Sequence, residues 1–284
     1  MTREASGTAL ALTLGAFKTG GRAMRRIVRG GLCLVLCGCA TMSTQQEVQL
    51  GQQESADIAK QLPIIQDAEV NRYVNMLGDS IAKLSDNRNL EWHFFVVNSK
   101  EVNAFAVPGG YIYVNRGLIE DADKMDELAG VLGHEIGHVV HRHTVKLMQK
   151  EQGANVGLAV GCILTNVCKD PATGAAINLA GSAVFAKFSR EDEQQADESA
   201  VTYVTRAGID PHGLPEMFQK MMSQQQSNPS AVEQWFADHP SDQSRIEDTQ
   251  RLIDKIDPSI LKGLTQDTQG FHDFQNRLKG LPRS

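Results

Sequence analysis

Positive charge is scarce in this 284-residue chain once its first 38 residues are set aside. Six of the 28 lysines and arginines (Arg3, Lys18, Arg22, Arg25, Arg26, Arg29) fall in that segment beside one acid, Glu4, leaving 22 basic against 33 acidic residues and a net charge of −11. A body of that sign repels phosphate backbones, which argues against nucleic acid as a partner. Long apolar runs are lacking too. GGLCLVLCG at 30–38 is far below the ~18 to 20 apolar residues that a spanning helix needs, so no permanent transmembrane anchor is expected there. No repeat period is visible. Cysteine is sparse, five in all, which leaves little room for a disulfide framework.

The basic and apolar residues near the start have their own grammar. Met24-Arg25-Arg26-Ile27-Val28-Arg29, the short apolar run and then Cys39 read as an export signal. Leu36-Cys37-Gly38-Cys39 resembles a bacterial lipobox, whose cysteine is acylated and becomes the mature N-terminus. The expected organisation is a cleaved signal over 1–38 with a true start at Met24, then a lipidated tether over 39–49. Ala40 after the cysteine, rather than aspartate, points to the periplasmic face of the outer membrane. Cys33 and Cys37 would leave with the signal, so Cys162 and Cys168 remain. They are a candidate disulfide in an oxidising compartment, which needs a turn between them, or else two small buried residues.

Apolar spacing of three and four predicts helices over Leu50–Leu62 and Ala68–Leu84, separated by Pro63. Trp92–Val97 is aromatic and β-branched. NAFAVPGGYIYV at 103–114 reads as two short strands around Pro108-Gly109-Gly110. Met125–Lys150 is expected as one long helix, and 153–186 as a helical hairpin or covering loop. Further helices are expected over 189–207, 212–226 and 241–256, with Trp235 and His239 in a loop between the last two and a polar tail over 257–284. Helix dominates over a small strand patch, an α+β class.

The chemistry concentrates in VLGHEIGHVVHRH at 131–143. His134 and His138, four apart on a helix, lie on one face and can reach a single Zn²⁺ at ~2.0 to 2.1 Å. Glu135 is rotated about 100° from His134 and is placed to act as general base on a water. A metzincin continuation would require glycine at 141 and histidine at 144, whereas the chain has His141 and Thr144, so that class is excluded. The third ligand must then come from elsewhere. SREDEQQADESA offers Glu193, with Asp197 one turn on to accept a hydrogen bond from a ligand imidazole; Glu191 and Glu198 are the nearest rivals. His141 and His143 are expected to be structural or to support the ligands.

With these residues in view, the chain resembles the HtpX and CAAX-prenyl-protease-like gluzincin peptidases of family M48, in their lipid-anchored or periplasmic bacterial branch. NAFAVPGGYIYVNRGLI, VLGHEIGHVVHRH and Glu193-Gln194-Gln195-Ala196-Asp197 carry the resemblance, in that order, and it covers roughly 50–256. It implies a mostly helical zincin-like metalloprotease domain over 50–256, with a small sheet beside the active-site helix. It implies one zinc per chain held by His134, His138 and Glu193, with Glu135 as base and Asp197 as supporting acid. It also implies a sheet edge at Asn103, Ala104, Phe105 and Ala106 that pairs with substrate, and a His-Pro loop near the zinc in which His239 either ligates the metal in a closed state or, with Arg245 nearby, stabilises the tetrahedral oxyanion as a catalytic group. The expected function is hydrolysis of unfolded or misassembled cell-envelope proteins. The alternative is an envelope chaperone or assembly factor whose zinc site mainly orders the fold.

Overall fold

The computed structural model describes residues 42–85, 88–150, 187–240 and 242–283. The expected signal, Cys39, the pair Cys162 and Cys168, and the segment 153–186 lie outside the described residues.

Helix α1 (Thr44–Gln61) starts on a reciprocal cap in which Ser43 and Gln46 each accept from the other's backbone N–H. Helix α2 (Ala68–Ala82) starts on the Asp67 carboxylate and buries Val70, Tyr73, Val74, Leu77 and Ile81, the stripe its spacing predicts. Strands β1 (His93–Val97), β2 (Ala104–Val107) and β3 (Tyr111–Asn115) form a sheet in the order β1-β3-β2. β1 is parallel to β3, and β2 is antiparallel to it. The β2–β3 turn needs its glycines. Gly109 (φ 84°) and Gly110 (φ 100°) adopt left-handed conformations, and a Cβ on Gly110 would come 2.6 Å from the Glu91 carbonyl oxygen. Phe95, Tyr113 and Phe105 stack across one face of the sheet at 4.9 Å spacings, in a cluster shared with Ile58 of α1. The larger core takes in α2 and the opposite face.

After the short α3 (Arg116–Asp121) comes α4 (Met125–Val140), buried along almost its whole length. Here the structure departs from the expected single helix to Lys150. The chain turns at His141 and Arg142, with Arg142 at φ 58°, and becomes helical again over 143–150. A left-handed arginine is strained. The strain is offset by its side chain, whose Nε lies 2.8 Å from the buried Glu47 carboxylate and whose Nη2 donates to the Met42 carbonyl.

Helix α5 (Arg190–Arg206) crosses α4 closely because small residues face each other. A Cβ on Gly133 would meet the Ala200 Cα at 3.2 Å, and one on Gly137 the Ala196 Cα at 3.0 Å. Two glycines four apart against two alanines four apart therefore set the α4–α5 distance, and with it the distance between His134/His138 and Glu193/Asp197. Helices α6 (Gly213–Ser227), α7 (Pro229–Asp238), α8 (Gln243–Ile253), α9 (Pro258–Leu261) and α10 (Gln269–Lys279) complete the domain.

Two expectations are corrected here. Trp235 lies on α7, fully buried, rather than in a loop. The stretch 257–284 is no polar tail: α10 buries Phe271, Phe274 and Leu278 in the main core, and Tyr73 stacks on Phe274 at 4.4 Å. The buried Arg116 then donates to the carbonyls of Leu281 (3.1 Å) and Pro282 (3.2 Å). Among the described residues no helix is long and apolar enough to cross a membrane.

Candidate metal centre

His134 and His138 project from α4 toward α5, and their Nε2 atoms lie 3.0 Å apart. The rings are aimed from behind. His134 Nδ1 is 2.8 Å from Asp197 Oδ1, and His138 Nδ1 is 3.0 Å from His143 Nδ1, whose Nε2 lies 3.2 Å from Gln195 Oε1. The assignment that satisfies this network has His134 Nδ1–H donating to Asp197, His138 Nδ1–H donating to His143 Nδ1 and His143 Nε2–H donating to Gln195, which leaves the Nε2 lone pairs of His134 and His138 pointing at one spot.

Glu193 enters from α5. Its Oε2 is 3.6 Å from His134 Nε2 and its Oε1 is 3.5 Å from His138 Nε2. His239, at the C-terminal end of α7, completes the group: its Nδ1 is 3.0 Å from Glu193 Oε1 and 3.3 Å from His134 Nε2. Four potential ligand atoms thus lie within 4.8 Å of one another, all on buried residues. Tetrahedral bonds of ~2.0 to 2.1 Å separate ligand atoms by about 3.3 Å, so this donor set can hold one metal ion.

Charge supports the fit. Among the described residues, the carboxylates of Glu135, Glu193 and Asp197 are buried around one arginine, Arg245, and a divalent cation would supply the missing positive charge. Arg245 Nε and Nη2 clamp Asp197 at 2.6 and 2.8 Å, and its Nη1 lies 2.5 Å from Glu193 Oε2. Its guanidinium also sits 4.4 Å above the Phe218 ring. Arg245 therefore holds both acids in place, and its Nη2 also lies 3.3 Å from His134 Nε2.

Burial pushes the Glu135 carboxyl up; His239 and His134 oppose this, while Glu193 and Asp238 add to it. Neither Glu135 oxygen has a hydrogen-bond donor among the described residues. Burial holds the His138 imidazolium well below its ordinary range, as a neutral ligand requires. Burial also opposes ionisation of Glu193, yet the charges of His239 and Arg245 outweigh it and keep that carboxyl well below its usual range.

The expected sheet edge is an edge. Asn115 N–H donates to the Asn103 carbonyl at 2.9 Å, so the alternation of an antiparallel ladder pairs Phe105 with Tyr113 and turns the N–H and C=O of Ala104 and Ala106 outward. Among the described residues nothing bonds to those outward groups.

The site thus brings together His134, Glu135, His138, Glu193, Asp197, His239 and Arg245. Two contributors were harder to read from sequence. His143 reaches His138 only because the chain turns at Arg142, and Trp235 stacks on His239 at 4.5 Å only because α7 extends to Asp238. No local signal marks Trp235, whereas His143 takes the ligand-supporting role that was one of the two expected for it.

A helix carrying two histidines one turn apart, completed by a carboxylate from a second helix, defines a zincin-type metallopeptidase arrangement. The comparisons with known proteins narrow the class: residues 68–253 match Peptidase family M48, and the chain belongs to that family. It is 30% identical over 254 residues to the beta-barrel assembly-enhancing protease of Escherichia coli (strain K12), an alignment covering 86% of this chain and 50% of that protein. It is 31% identical over 170 residues to the metalloprotease LoiP of the same organism (60% and 65%), and 32% identical over 166 residues to the mitochondrial metalloendopeptidase OMA1 of Arabidopsis thaliana (58% and 32%). The chain spans about half the length of the beta-barrel assembly-enhancing proteases it matches.

Proposed function

We propose that the protein is a zinc-dependent endopeptidase acting on unfolded or misassembled polypeptides of the bacterial cell envelope. The observation that carries this reading is the convergence of His134, His138 and Glu193 on one point beside a buried Glu135 whose oxygens have no hydrogen-bond donor among the described residues. The first three residues would hold zinc. When bound, zinc supplies a Lewis acid that polarises the scissile carbonyl and acidifies water.

The rest falls to the chain's own groups. Glu135 takes a proton from the attacking water and delivers it to the departing amine nitrogen, so the peptide C–N bond breaks with the proton balanced. Burial makes Glu135 the stronger base for the first transfer. Asp197 fixes the ring and tautomer of His134, and Arg245 fixes Asp197 and Glu193. The outward backbone groups of Ala104 and Ala106 pair with an extended substrate, which selects unfolded chain over folded domains. His239, the fourth donor of the cluster, would hold the metal with the other three or, during turnover, donate to the developing oxyanion.

The name of the Escherichia coli relative, a beta-barrel assembly-enhancing protease, supports an envelope role. A signal over 1–38 and acylation of Cys39 would place the enzyme on the periplasmic face of the outer membrane. Cys39→Ser should shift it from the membrane to the soluble fraction.

Metal analysis with casein cleavage, with and without a chelator, is the main test. Wild type should carry one zinc per chain and lose cleavage to the chelator. Glu135→Gln should keep the zinc and lose at least about 10³-fold in kcat/KM. Cleavage at the wild-type rate by Glu135→Gln would sink the mechanism and favour a chaperone with a structural metal.

A further inference from the structure

A groove of about 570 Å³ lies between α1 and the start of β2, apart from the metal ligands. Asp238 borders it and directly precedes His239, whose Nδ1 lies 3.0 Å from Glu193, so this end of the groove adjoins the metal centre. Ile58, Leu62, Val97 and Phe105 make its wall apolar. Its charged lining has one sign: Glu54, Asp57, Glu101 and Asp238, with no lysine, arginine or histidine. Lys60 is paired with Asp57 at 2.8 Å. Glu54 and Glu101, in contrast, form no ion pair with a described residue. Asn103, a residue only 4% exposed, also lines the groove, and its side-chain oxygen has no described donor.

The register of β2 says what would reach the groove. Phe105 and Val107 pack with Ile58 on the α1 face, whereas Ala104 and Ala106 pack on the opposite face. A strand added along the outward groups of Ala104 and Ala106 would therefore place every second side chain, about 6.7 Å apart, over the α1 face. An apolar wall rimmed by unpaired carboxylates matches a long side chain with an apolar stem and a cationic head.

We propose that this groove binds lysine and arginine side chains of an extended substrate, so that the enzyme selects cationic stretches next to the bond it cuts. The proposal rests on the peptidase reading above and adds the substrate class to it. Opposite charges select partners by differential affinity, and the selection weakens with salt.

The test uses the full-length, zinc-loaded protein and fluorogenic peptides in which one lysine or one glutamate is walked through the positions flanking the cleaved bond. At one position, or at two positions two residues apart, kcat/KM should be about 10-fold or more higher for lysine, and the ratio should shrink at high salt. The ratio should fall toward one in Glu54→Gln/Glu101→Gln and invert in Glu54→Lys/Glu101→Lys. Because the readout is a ratio within each variant, a general change in activity cancels. Equal rates at every position in wild type, or a ratio that neither variant moves, overturn the groove. Failure to cut any peptide overturns the peptidase reading instead. Fluorescence anisotropy of the same peptides then still decides the groove, since equal affinity for lysine and glutamate peptides overturns it.

Discussion

Two clusters bury carboxylates against arginine, and they differ in what surrounds the acid. At the N-terminal side, Glu47 of α1 is shared by Arg88 (3.1 Å) and Arg142 (2.8 Å), and those arginines also donate to the carbonyls of Val139 and Met42. At the metal centre the ratio is reversed: three carboxylates and three ring systems surround Arg245. In the first cluster one carboxylate is shared by two arginines, and the result is a clamp between α1 and the turn after α4. In the second the acids outnumber the arginine, the histidine lone pairs converge, and Glu135 is left without a donor. The difference teaches how a buried carboxylate can be assigned: arginine in excess holds a fold together, and arginine in deficit beside imidazole holds a cation.

The largest effect should come from breaking the clamp. Glu47→Ala leaves Arg88 and Arg142, whose side chains are 18% and 27% exposed, without their carboxylate and should cost about 1.5–3 kcal/mol, read as a lower urea midpoint. Zinc stoichiometry in the protein that remains folded should stay at one. A loss below about 1 kcal/mol would mean that water or other groups satisfy the arginines and that the clamp is dispensable.

The corresponding change at the metal centre should act on affinity more than on folding. In Asp197→Asn an amide NH₂ meets one of the donors now on Asp197, either His134 Nδ1 or Arg245 Nε, because both carboxylate oxygens are acceptors in use. Zinc should bind about 10–100-fold more weakly by chelator competition. Unchanged affinity would remove Asp197 from the set of residues that aim His134.

Much of this centre was legible because its signals are local. The four-residue spacing of His134 and His138 and the absence of proline around them specify one helical face. The Glu193–Asp197 spacing does the same on a second helix. What pairs those two helices is less visible, since Gly133 and Gly137 matter through their lack of a side chain and only against Ala196 and Ala200. The break at Arg142 was not legible at all: an arginine at positive φ carries no sequence signal, and what stabilises it is Glu47, nearly a hundred residues earlier. The stretch 257–284 reads as polar because Phe271, Phe274 and Leu278 are few, yet their spacing of three and four suffices to dock α10 on α2.

A third site, with a single buried carboxylate, sharpens the comparison because it has neither arginine nor imidazole. Asp126, in the first turn of α4, is fully buried, neither of its oxygens has a described hydrogen-bond donor, and its one ion-pair partner is Lys124 at 3.9 Å. Burial pushes its carboxyl up to about 7; Lys124 opposes this, and Glu216, Asp210 and Glu127 add to it. In the unfolded chain the same group ionises near 3.9. Between about pH 4 and pH 7 the folded state therefore holds a proton that the unfolded state has released. Stability contributed by this group is complete below pH 4, falls as pH rises, and is fully lost above pH 7. Asp126→Asn keeps the shape without the ionisation and should stabilise the protein by about 1–2 kcal/mol at pH 8, with little change at pH 4. Thermal melts of both proteins across that range provide the check. Parallel melting curves at every pH would show that Asp126 is solvated or paired well enough to ionise normally. A buried acid without arginine would then not by itself mark a deficit of charge, and the assignment of the metal centre would rest on its histidines alone.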